Sequence, residues 1–217
     1  MATATKSVAV VITSTRGIRV GPNVASLIST VVEPAAKAAN INLKTVDLKS
    51  FNLPVFSESA VPQMVKPGGA QFEQETSKAW AAEMTSHDGY IFILNEYNYG
   101  MSGAAKNAID YLMNGFTGKP AVLVSYGVMG GKLASDQAKG VLSAMGLTVV
   151  EPRLRLAFSG GRGPEGMMAV LEGKLGDETR RDWGEGHREE ILEAFEKLGE
   201  QLRVPKPEGD QLPPSEH

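Results

Sequence analysis

Three short apolar runs constrain this fold most: Val8-Ala9-Val10-Val11-Ile12, Tyr90-Ile91-Phe92-Ile93-Leu94 and Ala121-Val122-Leu123-Val124-Ser125. Each has the length of a strand and is apolar at successive positions. That pattern belongs to strands covered on both faces, as in a parallel sheet with helices above and below. Each run also ends in a polar or glycine-containing loop that leads into a helical pattern. In a parallel sheet every strand C-terminus lies on one edge. The three loops must therefore converge, at the place where α/β proteins build ligand sites.

Between these runs, helices and further strands alternate. Gly21-Pro22 opens a helix with proline in its first turn, and Val24, Leu27, Ile28, Val31, Val32 and Ala35 form its apolar face. Pro34 is expected to kink or end it. A second strand is expected over Ile41 to Leu48, followed by a long loop from Lys49 to Gly69 and a helix from Gln71 to Thr85. Such a loop inside a compact domain is usually functional or a contact surface. Its Leu53-Pro54-Val55-Phe56 stretch suits either the core or a dimer face. Ser102 is placed to cap the helix that follows the third strand. After the fourth strand come a helix through Val141, Leu142 and Met145, a fifth strand within Leu147 to Phe158, and a charged helix from about His187 to Leu202. The tail from Pro205 is expected to be disordered.

Five strands separated by helices imply a doubly wound α/β fold. The expectation is a flavodoxin-like three-layer sandwich with a five-stranded parallel sheet of order 2-1-3-4-5, in one domain over residues 1–204. With 217 residues, six strands plus a second domain would not fit.

The converging loops carry the chemistry. Loop one, Thr13 to Gly21, offers hydroxyls, Arg16, Arg19 and a helix N-terminus, all favourable to a phosphate dianion. It lacks both the Gly-x-x-x-x-Gly-Lys-Ser/Thr pattern and Gly-x-Gly-x-x-Gly. Loop three, Glu96-Tyr97-Asn98-Tyr99-Gly100, presents two aromatic faces beside carboxylate and carboxamide groups. Loop four, Tyr126 to Gly131, carries Gly127, Gly130 and Gly131, whose missing side chains let backbone amides approach a flat ligand. A phosphate trap, an aromatic wall and a strip of amides together describe a flavin mononucleotide (FMN) site.

These motifs resemble those of the NADPH-dependent FMN reductase family, which includes quinone, chromate and azo reductases. The likeness runs from about Val8 to Leu147: Ser14-Thr15-Arg16 with Arg19, Glu96-Tyr97-Asn98, Lys106-Asn107-Ala108-Ile109-Asp110, and Ser125-Tyr126-Gly127 through Gly130-Gly131. It implies that Ser14, Arg16 and Arg19 hold the FMN phosphate. Glu96, Tyr97, Asn98 and Tyr99 would border the ribityl chain and ring, and Ser125, Tyr126, Gly127 and Gly130 the pyrimidine edge. It further implies ping-pong hydride transfer from NADPH or NADH through FMN to a small acceptor such as a quinone, free flavin or azo compound. The flavin does the chemistry, so no catalytic side chain is expected. Homodimers or homotetramers are also implied. The rivals are a flavodoxin-type electron carrier and a flavin-bound regulatory protein. Two positions depart from the family pattern: Thr13 stands where glycine is usual, and Asn95 where proline is.

Composition narrows the setting. The chain has no cysteine, which removes disulfides, thiolate nucleophiles and Cys-ligated metals and suits the cytoplasm. Its net charge of −3 is split between a basic start (six Lys/Arg to two Asp/Glu over residues 1–50) and an acidic end (eight to fourteen over residues 161–217). That is no nucleic-acid stripe, and no apolar run is long enough to span a bilayer. His87, His187 and His217 read as surface residues without metal-ligand spacing, Asp110 and Asp136 as solvated, and Trp80 and Trp183 as packing residues. Gly161-Arg162-Gly163-Pro164-Glu165-Gly166 matches Gly-x-Gly-x-x-Gly, but no strand–helix–strand unit is expected around it.

Overall fold

A computed structural model describes residues 4–204; the expectation for the tail from Pro205 lies outside them. In chain order the elements are β1 (Lys6–Ile12), α1 (Gly21–Ala38), β2 (Ile41–Asp47), α2 (Glu75–Thr85), β3 (Gly89–Tyr97), β4 (Gly100–Met101), α3 (Gly103–Asp110), α4 (Met113–Phe116), β5 (Pro120–Gly127), α5 (Lys132–Ala144), β6 (Thr148–Val149), β7 (Leu154–Ala157), α6 (Pro164–Leu171), α7 (Asp177–Arg181) and α8 (Arg188–Arg203).

The sheet runs β2-β1-β3-β5-β6, with β7 also beside β5; all these pairings are parallel. This is the expected flavodoxin-like order, but the sheet holds seven strands, not five. One addition is β4, which folds back antiparallel on β3. The other arises because the fifth strand is interrupted. Pro152, which has no N–H for the ladder, separates β6 from β7.

Alternating residues bury into two cores. Val8, Val10, Ile12, Ile91, Ile93, Val122 and Val124 face the α1 and α8 side; Ala9, Val11, Tyr90, Phe92, Leu94, Ala121 and Leu123 face α2, α3 and α5. Three layers result, with the crevice-forming loops along the strand C-termini.

Local differences from the sequence reading have identifiable causes. Helix α1 runs through Pro34 to Ala38. Pro34 lies on the exposed face, and the buried Val31, Val32 and Ala36 outweigh one lost backbone bond. Strand β2 stops at Asp47, because Leu48 starts a 3-10 turn capped by the Asp47 carboxylate, which accepts from Lys49 N. Helix α2 begins at Glu75, four residues late. The buried Glu58 carboxylate accepts from Glu73 N and Gln74 N at 2.5 and 3.2 Å and diverts the chain there.

His87 is not a surface residue. It is 3% exposed and lies 2.8 Å from Ser7 Oγ and 3.0 Å from Glu83 Oε1, at the edge opposite the loops. Trp80 and Trp183 are packing residues, donating to Ala108 O and Ala157 O. The 53–56 stretch is divided: Phe56 packs on Phe72 and Tyr111, while Val55 is 83% exposed.

Candidate active site

The three loops do converge, and each is built by contacts that reach outside it. Loop one leaves β1 at Thr13 and enters α1 at Gly21. Ser14 is 1% exposed and its Oγ has no hydrogen-bond partner. It lies against Gly21, where a Cβ would stand 2.3 Å from Ser14 Oγ and 3.1 Å from the Tyr126 hydroxyl. Tyr126 is buried, and its side chain packs against Phe158 under loop one. Burial pushes its phenol up to about 12. The nearby Ser14 hydroxyl offsets part of that rise without completing a bond of good geometry.

The two arginines do different things. Arg19 forks onto Asp47, Nη1 to Oδ1 at 2.9 Å and Nη2 to Oδ2 at 2.5 Å, and Nη1 also donates to Ser14 O at 2.6 Å. Its side chain is 11% exposed, so it braces the turn from within. Partial burial raises the Asp47 carboxyl, but the Arg19 bonds and the Lys49 N–H outweigh that and hold it below its ordinary value. Arg16 is exposed. Its guanidinium lies 5.8 Å from the Tyr97 ring centroid, and Nη2 donates to Val170 O at 3.3 Å, so it spans the mouth between loop three and α6. These weak contacts leave Arg16 free to turn towards an anion.

Loop three is not the open loop expected after Leu94. Strand β3 continues through Asn95, Glu96 and Tyr97 and reverses over Asn98 (φ 49°) and Tyr99 (φ 65°) into β4. Two consecutive positive φ values are what a type I′ hairpin turn requires. An aromatic residue there is costly, yet Tyr99 is 83% exposed and Tyr97 40%. Strain at an exposed aromatic is a sign of binding. Glu96 does not face the crevice: its Oε2 accepts from Leu133 N and Ala134 N at 2.9 and 3.1 Å, capping α5. Gln137 on α5 accepts from Met101 N at 2.8 Å and completes the clamp.

Loop four is set by Ser125, fully buried, whose Oγ donates to Gly130 O at 2.7 Å. Gly130 (φ 71°) has room for no side chain, since a Cβ would stand 2.9 Å from Arg155 O. Gly130 is itself buried, and its N–H donates to Gly127 O at 3.2 Å, which closes the turn. Of the residues named from sequence, then, Arg16, Tyr97, Asn98 and Tyr99 are exposed on these loops and Gly127 is half-buried, while Gly130 is buried. Ser14 is buried, and Arg19, Glu96, Ser125 and Tyr126 hold the loops in place.

The two departures from the family pattern prove to be neighbours. Thr13 Oγ1 lies 2.9 Å from Ile93 O and 3.2 Å from Asn95 Oδ1, and Ser102, the α3 cap, donates to the same Asn95 oxygen at 3.3 Å. Asn95 Nδ2 is buried and unpartnered. Loop one and the end of β3 thus each hold a buried polar group without a partner.

Sequence reasoning missed several supporting groups. Asp47, Gln137 and the Thr13–Asn95 pair needed the fold. So did Asn107, which ties down the 54–56 segment by donating to Pro54 O at 2.7 Å and accepting from Phe56 N at 2.8 Å. The Gly161–Gly166 motif follows a strand and opens α6, but among the described residues no further strand follows. Its glycines serve packing: a Cβ on Gly166 would stand 2.0 Å from Gly161 O. Its Glu165 caps α7 through Glu178 N and Thr179 N. Among the described residues no cluster of His, Asp and Glu is disposed to hold a metal, and no helix is long and apolar enough to cross a membrane.

The sheet order and the crevice at its C-terminal edge define a flavodoxin-like protein. The sequence profile of the NADPH-dependent FMN reductases matches residues 7–159. The chain is 37% identical over 201 residues to an NAD(P)H-dependent FMN reductase of Nectria sp, covering 92% of this chain and 98% of that one. It is 31% identical over 147 residues to the Saccharomyces cerevisiae NAD(P)H-dependent FMN reductase LOT6, covering 66% and 76%. A solved flavoenzyme NAD(P)H:(acceptor) oxidoreductase from Paracoccus denitrificans shares the fold, with a TM-score of 0.61, 21% identity, and 89% and 98% of the two chains covered. The chain belongs to the NADPH-dependent FMN reductase family. It is an oxidoreductase that uses FMN as cofactor and NAD(P)H as co-substrate.

Proposed function

We propose that this protein transfers two electrons from NAD(P)H to small oxidised acceptors such as quinones, free flavin or azo compounds, by ping-pong turnover with FMN held across the three loops. The observation that carries the reading is the pair of buried, unpartnered polar groups, Ser14 Oγ and Asn95 Nδ2, at the C-terminal ends of β1 and β3. Such groups are costly unless a ligand meets them, and their positions fit a phosphate at loop one and a polar chain passing loop three. Bound there, FMN supplies the hydride-accepting and hydride-donating chemistry.

The chain's own residues bind and orient. Ser14 and the loop-one amides receive the phosphate, and Arg16 turns from Val170 O to pair with it. Arg19, fixed by Asp47, holds the Ser14 carbonyl so that this loop keeps its shape. Tyr97 and Tyr99 cover the ring and exclude water from one face. Backbone N–H groups of the 127–131 segment other than that of Gly130, which donates to Gly127 O, would meet the flavin's pyrimidine edge and favour negative charge there.

Assembly into homodimers or homotetramers is part of the proposal, supported by the exposed Val55, Val61 and Met64 of the 49–69 segment. The cysteine-free composition supports a cytoplasmic setting. The test is steady-state oxidation of NADPH and NADH by the yellow, FMN-loaded protein with menadione. Catalytic consumption supports the enzyme; a flavin-loaded protein that turns over neither coenzyme is a carrier and refutes it.

A further inference from the structure

Beside α1, where α7 turns into α8, lies a cavity of about 500 Å³ that contains no residue of the three loops. Small-ligand sites span about 300–1,000 Å³. Leu27 and Val31 of α1 supply apolar lining. Three arginines line it as well: Arg180 and Arg181 at the end of α7, and Arg188 at the start of α8.

These arginines stay unpaired in a part of the chain rich in carboxylates. Among the described residues none of the three guanidinium groups makes an ion pair or hydrogen bond, even with Asp177 or Glu185 of the same lining. Neighbouring charges do pair: Lys174 with Glu172 at 3.0 Å, His187 with Glu190 at 3.1 Å and Lys197 with Glu193 at 2.7 Å. Arg181 acts on Glu165 through space, while the two Glu165 oxygens accept from Glu178 N and Thr179 N. Three cations against two exposed carboxylates leave the lining with one positive charge unmatched.

The core accounts for the turn between these helices but not for its arginines. Asp182–Gly186 form a π turn, closed by His187 N donating to Asp182 O at 3.0 Å. It delivers Trp183 to full burial, stacked on Phe158 at 5.4 Å and donating to Ala157 O. That packing needs no charge on either side. The same turn brings Arg181 and Arg188 to one cavity from two helices, and π turns recur at functional sites.

We propose that Arg180, Arg181 and Arg188 bind the dianionic phosphate of a small phosphate ester whose organic part rests on Leu27 and Val31. Each guanidinium presents a fork of N–H donors that matches phosphate oxygens, and the dianion answers the unmatched charge. Ser26, also in the lining, adds a hydroxyl donor. The inference is independent of the flavin reading, since the two sites share no residue.

The test titrates phenyl phosphate and inorganic phosphate by calorimetry into protein saturated with FMN, with sodium chloride matching the ionic strength. One phenyl phosphate should bind per chain, more tightly than inorganic phosphate, which lacks the apolar part. Arg181→Gln and Arg188→Gln should each weaken phenyl phosphate binding about tenfold. Arg181→Lys should weaken it less, and Arg162→Gln, at an exposed arginine outside the cavity, should leave it unchanged. Phenyl phosphate should raise the Tm of wild type but not of the Arg181→Gln/Arg188→Gln double variant, a reading that also reports whether the variant is folded. No binding at millimolar phenyl phosphate, equal affinity for the two ligands, or wild-type affinity in the double variant overturns the inference.

Discussion

Arg16 and Arg19, three residues apart and equivalent in a sequence comparison, should respond differently to removal. In the free protein Arg16 makes one 3.3 Å bond to Val170 O and a 5.8 Å ring contact, both at an exposed site. Losing them should cost at most about 0.5 kcal/mol. Arg19 makes three charged or short bonds from a side chain 11% exposed. Each charged bond is worth about 1.5–3 kcal/mol when isolated, but Asp47 is a third exposed and water takes over part of the loss. A net cost of about 2 kcal/mol follows.

At about 2–4 °C per kcal/mol for a chain of this size, Arg19→Gln should lower the Tm of the flavin-free protein by about 4–8 °C. Arg16→Gln should lower it by about 1–2 °C. FMN affinity reverses the ranking. Arg16→Gln removes a direct phosphate partner and should weaken binding about 10- to 150-fold, while Arg19→Gln acts only through the shape of loop one. Asp47 titrates below its ordinary value of 3.8 in the folded state, so the Arg19 contribution is complete above that value. It fades as pH falls through the lower, folded value. The Tm gap between wild type and Arg19→Gln should thus be constant from pH 8 to 5 and shrink only below about pH 4. Differential scanning fluorimetry and flavin fluorescence quenching read both quantities. Equal Tm losses in the two variants, or a larger FMN defect in Arg19→Gln, would refute this division of labour.

Other substitutions probe the remaining loops. Glu96→Ala strips the cap from α5 and should destabilise the free protein by about 0.5–2 kcal/mol in urea unfolding; Glu96→Gln, still an acceptor, should cost less. A Thr13→Ala/Asn95→Ala double-mutant cycle should show a coupling of about 0.5–1 kcal/mol, since the two side chains meet at 3.2 Å; additive losses would mean that they are independent. Tyr99→Asn relieves a positive φ without removing a buried contact. The apo Tm should hold or rise while kcat/KM for aromatic acceptors falls. Unchanged turnover would mean that the strained ring serves no ligand. Glu58→Ala leaves Glu73 N and Gln74 N without their acceptor and should cost about 1–3 kcal/mol in the same unfolding assay.

The order of the main parallel strands was legible because apolar runs and intervening helical faces are local patterns and parallel topology follows from crossover length, whereas β4 and the break between β6 and β7 were not. The Tyr99 turn was not, because Asn-Tyr lacks the glycine that usually marks a type I′ reversal. Nor could the start of α2 be read, since it is decided by Glu58, more than a dozen residues upstream. At the site, the residue types were readable and their duties only partly so. Arg19, Glu96 and Ser125 look like ligands in a linear motif. Each is diverted by a partner that only the fold brings close: Asp47 for Arg19, the α5 amides for Glu96, the Gly130 carbonyl for Ser125. Asp136 looked solvated for the same reason, its two arginine partners lying on and beside the distant β7.

The most direct test is a crystal structure of the protein grown with saturating FMN. The phosphate should lie within hydrogen-bonding reach of Ser14 and the loop-one amides with Arg16 turned onto it, and the ring should rest between Tyr97 and the backbone of residues 127–131. Flavin bound elsewhere, or Arg16 still spanning to Val170 beside an empty crevice, would contradict the assignment.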